Sequence, residues 1–108
     1  MTNFHCPYLS NLVNLTDERK KHIADNHPDL LPRYEEQIRE ALNNPDQIRI
    51  SERFKNAHLF SKWFDNILGG KYIVAVVVSE EWPEDRHWII TAYITRRLSG
   101  GKSVWKKR

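Results

Sequence analysis

The chain changes its hydrophobic period about a third of the way along. Residues 1–14 carry little pattern, and "NLVNL" reads as a short strand or an arm. "LTDERKKHIADNH" opens a helix: Thr16 is a good N-cap, Asp17 and Glu18 occupy the first turn, and Pro28 stops it by forcing His27 towards extended geometry. A second helix follows, with Leu31, Tyr34, Ile38, Ala41 and Leu42 on one face and Glu35, Glu36, Arg39 and Glu40 opposite. "NNPD" ends it. From there the period is two. "QIRISER" sets Ile48 and Ile50 against Arg49, Ser51 and Arg53, and a tight turn around Lys55 and Asn56 leads into "AHLFSKWF". "KYIVAVVVS" is a continuous β-branched run, as expected of a central strand buried on both faces. "HWIITAYITRR" alternates again, Trp88, Ile90, Ala92 and Ile94 against His87, Ile89, Thr91, Tyr93, Thr95 and Arg97. "SVW" adds a short edge strand at most. Helices followed by a run of strands predict an α+β fold: two N-terminal helices packed on a four-stranded antiparallel sheet. Residues 1–14 are expected to be an arm or short strand, and 15–108 a single domain with a basic C-terminal tail.

Composition agrees with a folded domain. Of 108 residues, 40% are apolar and 11% aromatic, enough for a core. The one cysteine, Cys6, forms no internal disulfide, and the N-terminus does not resemble a signal peptide, so a cytoplasmic setting is expected. No apolar run approaches membrane-spanning length, and no membrane partner is expected. The net charge of +3 conceals an asymmetry. Residues 1–95 hold 11 Lys and Arg against 14 Asp and Glu, while the last thirteen hold six basic residues and no acid. Such an end either attracts phosphates or is simply solvated.

Chemistry centres first on His22 and His27. Two metal ligands on one helix face sit four residues apart, whereas five residues leave these about 140° apart. No Cys or acidic cluster completes a ligand set with recognisable spacing, so no metal and no cofactor are expected. A histidine at a helix exit can exchange a proton near neutral pH or hold a phosphate. The plain structural alternative is that His22 packs beside Ile23 and His27 bonds within the turn. The polar sheet face comes second: Arg49, Ser51 and Arg53 from one strand, and Thr91, Tyr93 and Thr95 from another. Arginines fork onto phosphates, hydroxyls orient oxygens and tyrosine stacks a base. An ordinary solvated face would carry the same residues.

"LTDERKKHIADNHPDL", "IREALNNPDQIRISER", "YIVAVVV" and "IITAYIT" together, in that order, resemble the phage-associated domains of the barnase–EndoU–colicin–RelE-like nuclease superfamily. The resemblance spans most of residues 15–97, and its most specific part is the "HI…HP" pair followed by "TAY". Lys20 and Lys21 stand where many members carry an aromatic residue. The resemblance implies helices on a four-stranded antiparallel sheet and a metal-independent, toxin-like endoribonuclease. Position by position, it implies catalytic roles for His22, His27, Arg53, Lys62, Thr91 and Tyr93, with Arg49 a weaker match than Arg53. Arg49, Ser51, Arg97 and Lys102 are the expected substrate-binding residues, and RNA is the expected partner. The alternatives are a non-catalytic RNA- or protein-binding module of the same fold, or a sheet face covered by an antitoxin-like protein or a second copy.

Overall fold

The first fifteen residues, read as an arm or a short strand, form a two-stranded hairpin. A computed structural model describes residues 1–54 and 56–108, so the turn predicted around Lys55 and Asn56 lies outside the described residues at Lys55. Strand β1 (Thr2–Cys6) pairs antiparallel with β2 (Asn11–Leu15) around a 3-10 turn at Pro7–Leu9. Alternation buries Phe4, Cys6, Val13 and Leu15, while His5 and Asn11 face water. Helix α1 (Asp17–Asn26) follows. The Thr16 hydroxyl accepts from the Arg19 N–H at 3.1 Å, and the N-terminal ammonium bonds Asp17 at 3.0 Å. Ile23 is its one fully buried side chain. Helix α2 (Glu35–Asn43) is amphipathic and buries Ile38, Ala41 and Leu42. Lys20 joins the helices through an ion pair with Glu35 at 2.6 Å.

Five strands complete the chain: β3 (Gln47–Ile50), β4 (Ala57–Phe64), β5 (Lys71–Glu80), β6 (Arg86–Thr95) and β7 (Lys102–Lys106). They form one seven-stranded sheet in the order β1-β2-β6-β5-β4-β3-β7. Pairing is antiparallel except where β2 meets β6 in parallel at Asn14 and Trp88. The α+β class holds, but the four-stranded sheet with N-terminal helices is corrected: the sheet has seven strands, and both helices lie between β2 and β3. Two properties hide the extra strands from a periodicity reading. The β1–β2 hairpin is short, broken by Pro7, and completed by a pairing with β6 some seventy residues away. Strand β7, which contains the "SVW" read as a short edge strand, is exposed at every position, so its apolar signal is confined to Val104 and Trp105 and it is held by its main-chain pairing with β3.

One face of the sheet meets the helices. Ile48, Phe60, Ala75 and Ala92 lie opposite one another across four strands and are completely buried there. Ile38, Leu42, Leu30 and Leu31 close over them. Each such Leu or Ile contributes about 1.5–3 kcal/mol relative to exposure. Strand β6 does not alternate as its sequence suggests. Val77 pairs with Ile89 but Val76 pairs with Thr91, leaving Ile90 as an extra residue, a β-bulge. Ile89 and Ala92 therefore both point into the core, and Trp88, Thr91 and Tyr93 share the opposite face. Among the described residues, no helix is long and apolar enough to cross a membrane.

Truncating Ile38 or Leu42 to alanine is expected to cost about 2–5 kcal/mol, read as a lower urea midpoint. A change below half a kcal/mol at either position would mean that α2 does not seal the core.

Candidate active site

Two features of the fold bring chemistry to one seam. Strand β2 runs parallel to β6 for a single residue pair, and the chain then passes into α1, which packs against β6. The bulge at Ile90 turns Thr91 and Tyr93 away from the helix-covered face. The result sets a helix exit beside hydroxyl-bearing strand residues. His27 caps α1, its N–H bonded to the Ile23 carbonyl at 2.7 Å and its own carbonyl accepting from Leu30 at 3.0 Å. Its half-buried ring lies 6.4 Å from the Tyr93 ring, centre to centre, tilted by 40°. Thr91 stands two residues before Tyr93 on the same face, paired with Val76. Pro28 and the carbonyl contacts with Leu30 and Leu31 hold the His27 backbone, so the imidazole is carried on a fixed turn.

His22 belongs to the other end of the same seam. It is exposed and lines a cavity of about 640 Å³. Arg19 and Asp25 of α1, Asn14 of β2, and Arg86 and Trp88 of β6 line it as well. The Arg86 guanidinium sits 5.7 Å from the centre of the Trp88 ring, a cation–π contact. An indole flanked by arginine and histidine is suited to a base and its phosphate. Asp25 is partly neutralised by Lys21 at 3.2 Å.

The remaining expected residues divide. Arg53 is exposed in the turn after β3; its N–H, like that of Phe54, donates to the Ser51 hydroxyl at 3.2 Å. Ser51 thus shapes the turn rather than extending the β3 face. Lys62 lies on the helix side of the sheet, opposite Ile73, where its ammonium donates to the Asn44 carbonyl at 3.1 Å and faces Asp46 at 3.8 Å. It does not meet His27 and Tyr93. Arg49 shares the face of Thr91 and Tyr93 but is buried, its Nη1 donating to the Ser99 and Gly100 carbonyls at 2.6 and 2.7 Å. Arg97 is exposed in the segment joining β6 to β7, where its carbonyl accepts from the Thr95 hydroxyl, and Lys102 opens β7 opposite Ile50. The basic end is therefore partly a strand. Among the described residues, no group of three or more His, Cys, Asp or Glu side chains is gathered as metal ligands are.

Sequence reasoning passes over three groups. Arg19, Arg86 and Trp88 join His22 only because the bulge and the β2–β6 pairing bring their elements together. On the helix side, His87 Nδ1 lies 2.6 Å from the Ser79 hydroxyl, and His58, with its own Nδ1 buried and unpaired, packs against Tyr8 at 5.9 Å. Neither histidine falls in a recognisable motif. Burial pushes the Cys6 thiol up, which keeps it protonated and a poor nucleophile. Compared with protein-family models, with curated proteins and with solved structures, the chain matches none.

Burial, and secondarily the neighbouring His87, lowers the His58 pKa from its ordinary value near 6.5. The unfolded chain then binds the proton first as pH falls. The stabilisation is fully present above about pH 6.5 and is lost as pH drops through the lower folded value. Thermal unfolding between pH 7.5 and 5 is expected to show a falling Tm that is shallower in His58→Phe. Identical profiles for the two proteins would remove His58 as the cause.

Proposed function

We propose that this chain is a metal-independent endoribonuclease that cleaves RNA by attack of a ribose 2′-hydroxyl on the adjacent phosphodiester. The observation that carries the reading is the His27–Tyr93 juxtaposition on a hydroxyl-lined sheet face, beside a cavity lined by His22, Trp88 and two arginines. The motif resemblance around "HI…HP" and "TAY" supports it independently of the sheet's strand number.

In this mechanism His27 takes the proton of the 2′-hydroxyl as that oxygen attacks phosphorus. The bond to the 5′-oxygen breaks, and the Tyr93 phenol supplies the proton that the departing oxygen needs. The products are a 2′,3′-cyclic phosphate and a 5′-hydroxyl, and transfer of the proton from His27 back to Tyr93 through water restores the site. Thr91 orients a non-bridging phosphate oxygen. Arg19, Arg86 and His22 hold the neighbouring phosphate, with Trp88 stacked on a base. Arg53, at the exposed turn, adds charge where the RNA leaves the sheet. Lys62, tied to Asn44 and Asp46, takes no part. The setting proposed is cytoplasmic and toxin-like, with RNA as substrate and an antitoxin-like protein or a second copy as the partner that would cover the site.

A second reading, a non-catalytic RNA-binding module, is favoured by one observation. Trp63 is partly exposed and packs edge-on against Tyr72 at 4.9 Å on the same sheet face, an aromatic platform that binds bases without chemistry.

Turnover separates the two. Purified protein is expected to cleave a mixed RNA pool in EDTA and leave cyclic phosphate ends. His27→Ala should lower the rate about 10²–10⁴-fold, and Tyr93→Phe should lower it without loss of folding. RNA binding with no cleavage, unchanged in His27→Ala, would leave the binding module as the function.

A further inference from the structure

On the sheet face away from the helices, Arg49 is buried in an unusual way. It is 3% exposed, yet only Nη1 is partnered, by the Ser99 and Gly100 carbonyls. Nε and Nη2 are buried without a partner. Those two nitrogens form one edge of the guanidinium, the edge that grips an oxyanion through two parallel hydrogen bonds. A second orphan lies close by. Ser61 is completely buried and its hydroxyl is likewise unpartnered. Arg49 pairs with Leu59 and Gln47 pairs with Ser61, so Arg49 and Ser61 are diagonal neighbours on one face. That spacing is within reach of a long side chain.

A loop roofs both. Residues 96–101 leave β6 at Thr95, opposite Tyr72, and enter β7 at Lys102, opposite Ile50. Strands β5, β4 and β3 separate β6 from β7, so the loop crosses three strands. Its bond to the Arg49 guanidinium places it over the face that Thr91 and Tyr93 share. Thr95 ties one end through the Arg97 carbonyl at 2.9 Å, and Arg49 ties the other. Gly101 is wedged on β3, where a Cβ would meet the Ile50 carbonyl oxygen at 2.8 Å. Gly100, at φ +75°, has nothing within 4 Å of such a Cβ. The loop is therefore held on β3 at Gly101 and by Arg49 at Ser99 and Gly100, open to solvent outside Gly100, with Arg96 and Arg97 exposed at its start.

From this we infer that Arg49 and Ser61 form a phosphate pocket roofed by residues 96–101: Nη1 holds the roof through the Ser99 and Gly100 carbonyls, and the unpartnered Nε–Nη2 edge takes the phosphate together with the Ser61 hydroxyl when the roof lifts. Two guanidinium nitrogens and one hydroxyl, unpartnered at diagonal positions of one face, offer a set of donors that suits a tetrahedral phosphate better than a planar carboxylate. Arg49, Leu59, Val76 and Thr91 form one cross-strand row, so a phosphodiester held at Arg49 extends towards Thr91 and the His27–Tyr93 pair. That the phosphate belongs to RNA rests on the ribonuclease reading; that the pocket takes phosphate does not.

The test uses the full chain carrying His27→Ala, so that cleavage plays no part. Inorganic phosphate and a 2′-O-methyl RNA are titrated separately while the Arg49 Nε resonance is followed by nitrogen NMR and affinity by calorimetry. The Arg49 signal is expected to shift, and Ser61→Ala to weaken binding about tenfold. A shift with phosphate alone identifies a free-phosphate site, and a shift with RNA alone identifies a backbone subsite; either supports the pocket. Arg49→Lys keeps the charge but loses the fork and should weaken binding further. Ser61→Ala, a small change at a buried position, keeps the test decisive if that variant does not fold. No Nε shift with either probe, or equal affinity in Ser61→Ala, overturns the inference.

Discussion

A single extra residue in β6 governs what lies on each side of this sheet. With Ile90 bulged out, Ile89 and Ala92 both reach the core, although strict alternation would put them on opposite faces. The same slip aims Trp88, Thr91 and Tyr93 at the other face. Without it, either the core would lose an apolar contact or the hydroxyls would turn to the helix-covered face. A sheet with one helix-covered face specifies register strongly because a one-residue slip inverts every side chain. The bulge confines that inversion to one strand, and the parallel pairing of Asn14 with Trp88 then sets α1 alongside.

Charge is partitioned by the same geometry. On the helix side, cations are tied down: Lys20 to Glu35, and Lys62 to Asn44 and Asp46. Along the α1–β6 seam, Arg19, His22 and Arg86 line a cavity instead. On the remote face, Arg49 is desolvated with two of its donors unmatched, a state that costs more than an unpaired neutral group would. Basic residues that look equivalent in a sequence thus carry three different electrostatic duties: bracing, lining a cavity and waiting under a loop.

Local signals were legible and non-local ones were not. Thr16 caps α1 through its hydroxyl, Pro28 follows its end, and the Ile38–Leu42 stripe marks the buried face of α2, because each depends on neighbours within a few residues. The unbroken apolar run of β5 anticipates its place at the middle of the sheet. Strand β1 escapes notice, while β2 and β7 show only as the short "NLVNL" and "SVW" stretches, because each is five residues long and the joining of β2 to β6 and of β7 to β3 depends on partners far away in the chain. Of the candidate site, His27 and Tyr93 lie near one another, their ring centres 6.4 Å apart. Lys62 does not, because "AHLFSKWF" lacks the alternation that would reveal its face. Arg49 was visible as a strand arginine, but its burial depends on a crossing loop whose path no local pattern encodes.

The position of β7 at the sheet's edge has a consequence for self-association. Its outer edge ends the sheet with free main-chain groups, an arrangement that ordinarily recruits another strand. Here Lys102 and Lys106 flank the segment and Lys107 and Arg108 follow it. Two copies meeting edge to edge along β7 would bring those cations together, so the border repels its own kind.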